Sequence, residues 1–411
     1  MYQSTLEQST YYSKLLEFVI FLLFLLGPMT GNIINVLFGV LSSYFQVNLD
    51  NLLIAIPSFM IPFAITQLFS GAISDIKGRI PVLILGLILF TIAMLTAGFS
   101  INLEMYIIAN IVGGIGFGFI NPVLIALMID ITPSQNVAKK MGLLSASANL
   151  GVGLGPLIAT LIILNITWQW IYIIFITISG FCLVYFILVK RPPQKKVKDL
   201  GIRTFLSQLS KEWRRIPVIL MILSAFLISH TYIAINIWTS KNLIEANVSL
   251  LLVGLILSLA GIGAAIAGIL TGNLIKREDP KLPLLLGSTI LITSIVIFLA
   301  IGDITNQKRF IILSFGWFLS GIAGGMLFTS ITYYSQVLSS QRRGALAGSL
   351  TASYFTGIAL VPITLAPFLN YYNNTTLYFA ILIASVFFIV VTMLLYTFSK
   401  HIITDIKKNS A

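Results

Sequence analysis

Twelve apolar runs, each nearly free of charge and each long enough to cross a bilayer, constrain this chain more than any other feature. They fall near 18–41, 52–73, 80–100, 105–129, 141–164 and 170–189, then near 216–239, 249–272, 282–302, 310–333, 345–369 and 377–398. A helix needs about 20 apolar residues to cross a hydrocarbon core of about 30 Å. The runs therefore predict an all-α membrane protein with twelve spans in two groups of six. With 57% hydrophobic and 9% charged residues and a mean hydropathy of +0.99, a soluble fold is excluded.

The charges set an orientation, because cytoplasmic loops hold the excess of Lys and Arg. With the N-terminus inside, Lys14, Lys77, Arg79, Lys139, Lys140, Lys276, Arg277, Lys281, Arg342, Arg343, Lys400, Lys407, Lys408 and nine cations of the central loop share the cytoplasmic side. Of the 25 Lys and Arg, only Lys241, Lys308 and Arg309 fall outside. Both termini are thus expected in the cytoplasm of a multi-pass cell-membrane protein. The +12 net charge reflects this orientation and attraction to anionic lipid rather than nucleic-acid binding. The polar N-terminus, with Lys14 and Glu17, precedes an apolar run too long for a signal-peptide core, so the first span should be retained. A single cysteine, Cys182 in span 6, leaves no intramolecular disulfide and no cysteine cluster for a metal.

The two groups of six repeat one another. Setting residue n against n+206 matches Ser134-Gln135 with Ser340-Gln341, Gly142 with Gly348, Ala146 with Ala352, Ser147 with Ser353, Gly151 with Gly357 and Pro156 with Pro362, which pairs span 5 with span 11. At an offset of 201, Gly86 meets Gly287 and the hairpin after span 2 meets Gly272 to Lys276. This divides the chain into a six-helix half at 1–189, a basic cytoplasmic linker at 190–215 and a second half at 216–411. In the linker nine cations face Asp199 and Glu212, and Ile202, Phe205, Leu206, Leu209 and Trp213 recur at helical spacing. That pattern predicts an interfacial helix on the anionic inner leaflet.

The hairpin itself reads Gly71-Ala72-Ile73-Ser74-Asp75-Ile76-Lys77-Gly78-Arg79. It resembles the loop between helices 2 and 3 of the major facilitator superfamily, Gly-x-Leu-Ala-Asp-Arg-x-Gly-Arg-Arg; Gly71, Asp75, Gly78 and Arg79 match, while Ile76 and Ile80 replace basic residues. Span 5 carries Gly142, Gly151, Gly155 and Pro156 in the spacing Gly-x8-Gly-x3-Gly-Pro. This looks like the antiporter motif of the twelve-helix drug:proton antiporters, with Ala159 and Thr160 in place of its last glycines. Small residues there imply close helix approach and a proline bend, with Ala260, Gly261, Ala264, Ala265 and Gly268 of span 8 as a plausible partner stripe. The resemblance implies a major facilitator fold and a gate in which Asp75 meets the helix start at Arg342 and Arg343 while Arg79 meets Asp130. Where the family places an arginine in span 4, this chain has Asn110.

In that superfamily helices 1, 4, 7 and 10 line the cavity, which makes Asn32, Asn35, Asn110, Phe117 and Asn121 candidate substrate contacts, together with His230, Tyr232 and Asn236 of span 7. Each asparagine could instead tie helices together. None of the acids or the Lys and Arg lies mid-span, so His230 is the titratable candidate at membrane depth. A neutral, amide-bearing cavity argues against phosphate or dicarboxylate carriers, which need buried cations. The expectation is a monomeric alternating-access carrier, without cofactor or metal and without catalysis, that exports small lipophilic compounds and uses protons as coupling ion. The alternatives are an uncoupled facilitator or importer of a neutral metabolite and, from another class, a lipid scramblase or a membrane sensor.

Overall fold

The computed structural model describes residues 2–132, 136–189, 207, 210–277, 280–301, 307–339, 343–371 and 374–410. All regular structure among them is helical. The first half comprises α1 (Tyr2–Asn32), α2 (Ile34–Phe45), α3 (Leu49–Leu52), α4 (Ala55–Lys77), α5 (Arg79–Gly98), α6 (Leu103–Ile131), α7 (Val137–Asn165) and α8 (Gln169–Leu188). The second comprises α9 (Ile216–Glu245), α10 (Leu250–Arg277), α11 (Lys281–Ile301), α12 (Gln307–Val337), α13 (Arg343–Tyr371) and α14 (Asn374–Ser410). Twelve of the helices are long and apolar enough to cross a membrane. Exposed apolar side chains such as Ile92 of α5 and Phe387 of α14 face outward, as lipid contact requires. The ends of the spans divide between a hairpin end, which holds Asp75 and Arg79, and a far end on the opposite face.

Span 1 runs through α1 and α2, which adjoin at Ile33. Ile33 keeps helical φ −64° and ψ −28°, its N–H donates to the Met29 carbonyl at 3.2 Å and its carbonyl accepts from Leu37 at 3.1 Å, so the helix continues across the join. Pro28 lies inside α1 just before it, and the Asn32 amide donates to the Pro28 carbonyl at 2.8 Å.

Inside each half, helices meet backbone to backbone where a glycine removes the side chain. A Cβ on Gly114 of α6 would lie 2.2 Å from the Phe59 carbonyl of α4, and one on Gly118 would lie 3.1 Å from the Phe63 carbonyl. In the second half a Cβ on Gly321 would lie 2.1 Å from the Ala260 carbonyl, and one on Gly325 2.3 Å from that of Ala264. These contacts map onto each other at offsets of 207 for the glycines and 201 for their receivers, the spacing of a duplicated unit. The step from 201 to 207 falls between spans 3 and 4, so the extra residues enter a far-end connection and leave the helical register intact.

The proposed linker helix lies mostly outside the described residues; this covers Ile202, Phe205, Leu206 and Leu209. Trp213 is described. Its indole N–H donates to the Ser349 hydroxyl of α13 at 2.9 Å, and Arg215 pairs with the buried Glu212 at 2.7 Å, so the end of the linker is tied to the second half.

Candidate functional site

At the hairpin end, Gly78 separates α4 from α5 with φ 99° and ψ 149°, a conformation that a side chain would strain. The turn places Arg79 at the start of α5 with its guanidinium folded back. It meets Asp75 at 2.5 Å, Asp130 of α6 at 3.0 Å and the Ser74 hydroxyl at 2.6 Å. Ser74 in turn donates to the Gly71 carbonyl at 2.7 Å. One planar fork thus holds three acceptors and ties spans 2, 3 and 4 together. The expected meeting of Arg79 with Asp130 is present in this geometry. The other half of that expectation is not described: Arg342 lies outside the described residues, and Arg343 opens α13 with its side chain outside the description. A second pair, Lys140 of α7 with Glu17 of α1, sits at the same end. Ser74 and this pair were not anticipated from sequence, although Ser74 stands inside the hairpin signature.

The span 5 glycines do pack closely, but the partner differs from the expected one. A Cβ on Gly151 would lie 2.2 Å from the Leu25 carbonyl, and one on Gly155 3.1 Å from Met29 Cα, so the stripe faces α1. The contact with α10 is made by Gly153, and a Cβ on Gly261 would lie 2.4 Å from its Cα. Residues 151 and 155 share a face while 153 is turned about 200° away, so the two contacts occupy opposite sides of one helix. Ala260 and Ala264 are likewise spent within the second half, against α12. Pro156 lies inside α7 as expected. Gly142 is helical, and its surroundings are not described.

The candidate cavity residues separate into groups. Asn32, Asn110 and Asn236 each donate to a carbonyl four residues earlier, Pro28, Tyr106 and Tyr232, at 2.8 to 3.0 Å. Asn35 and Asn236 are mates at the 201 offset, and both are buried. Asn121 is half-buried. Phe117 is buried against Gly27, with Phe63 and Phe90 each at 5.5 Å, so its ring is packing inside the first half. Tyr232 is buried against Gly324 of α12. His230 is half-buried, stacked on Phe226 at 5.9 Å, with Nε2 2.7 Å from the Thr364 hydroxyl of α13.

Contacts between the halves change with depth. At the far end the Ser240 hydroxyl of α9 donates to the Asn35 carbonyl of α2 at 2.5 Å, and Lys241 pairs with Asp50 of the first half at 3.0 Å and with Glu245 at 3.1 Å. The Lys241 side chain is 9% exposed and lies over the Trp238 ring. A Cβ on Gly39 would meet Ile244 at 3.1 Å. At mid-depth, Gly153 meets Gly261 and Phe63 stacks edge-on to Phe355 at 4.3 Å. Toward the hairpin end, a Cβ on Gly71, Gly272 or Gly348 would meet nothing within 4 Å among the described residues. The polar joins between the halves thus lie at the far end, where Gly39, Ser43, Ile244 and Asn247 also border an open cavity of about 460 Å³. In the sequence Lys241 is only a far-side cation, and nothing there marks Asp50 as its partner.

Two bundles of six spans, joined along a seam, are the architecture of a multi-pass membrane transporter. The chain belongs to the Major Facilitator Superfamily, whose profile matches residues 20–362 and 245–408. It is 28% identical over 144 residues to the MFS efflux transporter aclA of Aspergillus oryzae, covering 35% of this chain and 26% of that protein. It is 24% identical over 330 residues to the quinolone resistance protein NorA of Staphylococcus aureus, covering 78% of this chain and 82% of NorA. The chain spans only about a quarter of the length of aclA and of other relatives matched over short stretches, multidrug resistance protein 3 of Bacillus subtilis among them. The solved structure of a mutant of the nucleoside transporter NupG superposes with a TM-score of 0.74 at 14% identity, over 93% of this chain and 100% of that one, which is a likeness of fold.

Proposed function

We propose that this protein is a secondary transporter that works by alternating access and exports small neutral or amphipathic lipophilic compounds across the cell membrane. The hairpin end and both termini face the cytoplasm in this reading, in keeping with the distribution of Lys and Arg. The observation that carries it is the placement of the polar joins along the seam: Lys241–Asp50 and Ser240–Asn35 join the halves at the far end, while Gly71, Gly272 and Gly348 border open space among the described residues at the other. That placement is what a carrier open toward the cytoplasm requires. The outward direction is supported by the relatives named as efflux and quinolone resistance proteins. The preference for neutral compounds is supported by cavity candidates that are amides, hydroxyls and aromatic rings.

The division at 1–189, 190–215 and 216–411 belongs to the same reading, with the linker contacting anionic lipid and joining two rocking halves. Protons are the proposed coupling ion, with His230 as the titrating group. The test is flux in proteoliposomes for a panel of dyes and neutral metabolites, with a pH gradient and a membrane potential imposed separately. Net movement of lipophilic dyes out of the hairpin-side compartment, driven by the pH gradient, is the expected result. Movement of labelled phospholipid in place of every solute, or inward movement of a polar metabolite, would overturn it.

A further inference from the structure

We propose that Gln67 and Ser70 of α4 form a substrate subsite for a neutral, amide-bearing aromatic group, set on the seam between α4 and α13 just to the hairpin side of mid-depth. The proposal deepens the transport reading above and rests on it. Gln67 is 3% exposed, and neither its Nε2 nor its Oε1 has a hydrogen-bond partner among the described residues. The Ser70 hydroxyl is fully buried and equally unpartnered. Nothing then offsets the lost hydration of these groups, and Gln67 differs from the other unpartnered side chains in leaving both ends of its amide free. Other serines of the same helix avoid the problem: Ser58 and Ser74 donate to carbonyls three residues earlier, at 2.9 and 2.7 Å. Ser70 does not. Gln67 and Ser70 are three positions apart, so both look toward one side of α4.

The internal repeat says what lies beside them. Adding 201 to Gln67 gives Gly268 of α10, where a Cβ would lie 3.7 Å from the Asn149 amide of α7. Adding 206 to Asn149 gives Phe355. The duplicated geometry therefore sets Gln67 beside Phe355, one turn along from the Phe63–Phe355 contact at 4.3 Å. It also sets one amide from the first half on each seam at matching depth, Gln67 on one and Asn149 on the other.

An amide presents a donor and an acceptor side by side and carries no charge. The ring of Phe355 offers an apolar face and edge to an aromatic guest. The complementary ligand has a carboxamide, lactam or urea edge next to a flat ring. An ionic group would leave its charge uncompensated there.

The test uses the full chain in lipid nanodiscs and equilibrium dialysis against benzanilide and its amide-free isostere trans-stilbene, with empty nanodiscs as the partition control. Wild type should bind benzanilide saturably and about tenfold more tightly than stilbene; Gln67→Leu should remove that preference without altering stilbene binding, and Ser70→Ala should reduce it about threefold. Ser70→Ala carries the test if Gln67→Leu fails to fold. A preference that survives in the folded variants overturns the proposal, as does a wild type that binds the two probes alike. A higher melting temperature of Gln67→Leu with unchanged preference would mark a merely structural amide and overturn it too. Each of these failures leaves the dye fluxes of the transport test unaltered, so the two readings fail separately.

Discussion

Gly151 rests on the backbone of Leu25 in the first half, and its mate Gly357 rests on that of Phe226 in the second, with would-be Cβ distances to the carbonyl of 2.2 and 2.5 Å. The contacts of α6 on α4 and of α12 on α10 repeat in the same way. The chemistry laid over this shared scaffold does not repeat. Asp75, Arg79 and Asp130 stand where the second half has Lys276, Pro280 and Val337, so the ion cluster exists once. Gly155 against Met29 becomes Val361 and His230, and Ile158 becomes Thr364, so the hydrogen-bonded histidine also exists once. Duplication preserved what backbone approach demands and released the polar positions, leaving an ion cluster in one half and a histidine–threonine pair in the other.

If the scaffold is shared, equal insults should do equal harm. Gly151→Leu and Gly357→Leu should each cost about 3 kcal/mol or prevent folding, since the new side chain must displace a backbone. Thermal unfolding of the detergent-solubilised variants measures this, and one variant left near wild type would break the symmetry. The next pair should behave unequally: Gly155→Leu should disrupt the α1–α7 contact and abolish export, whereas Val361→Gly at the mate position should cost only about 1 to 2 kcal/mol. Dye flux compared with folded yield separates the two.

The ion cluster gives a smaller effect that touches function alone. Asp75→Asn should lower transport about tenfold with normal insertion, because it removes charge from the Arg79 fork with almost no change of volume. Full transport at normal expression would rule out a latch. At the far end, Lys241→Gln should weaken the join to Asp50 and shift the open–closed balance by about 1 kcal/mol or severalfold, read as faster labelling of a cysteine placed at Ser240. The narrowest prediction concerns the second half: His230→Gln should leave downhill exchange intact and remove only accumulation driven by a pH gradient. Proton-driven flux unchanged in that variant would move attention to peripheral acids such as Asp130.

Much of this architecture was legible because membrane spans are written in runs of apolar residues that no loop can imitate. The repeat was legible too, since Gly151 and Gly357 must both be small for the same reason. What sequence could not reveal was direction around a helix. Gly151, Gly153 and Gly155 look alike in the chain, yet two face α1 and one faces α10. Phe117 shares a face with Asn110 and Asn121, but its ring is consumed by Gly27 and Phe63. Asn32 and Asn110 spend their amides on their own helices, an outcome decided by local backbone competition. Lys241 and Gln67 gain their meaning only when the other half arrives, since burial against a distant segment leaves no local signal.

The Gly153–Gly261 contact has a mechanical side. Two helices whose backbones touch without side chains can roll about that point with little to unpick, as a balance turns on its fulcrum. A helix end ten residues away stands on a lever arm of about 15 Å, so a rocking of roughly 20° would swing it by about 5 Å. That displacement matches the width of a small planar molecule. In the rocking carrier proposed above, a fulcrum at this mid-depth contact would let one small rotation close one mouth and open the other by a similar amount, with neither bundle bending.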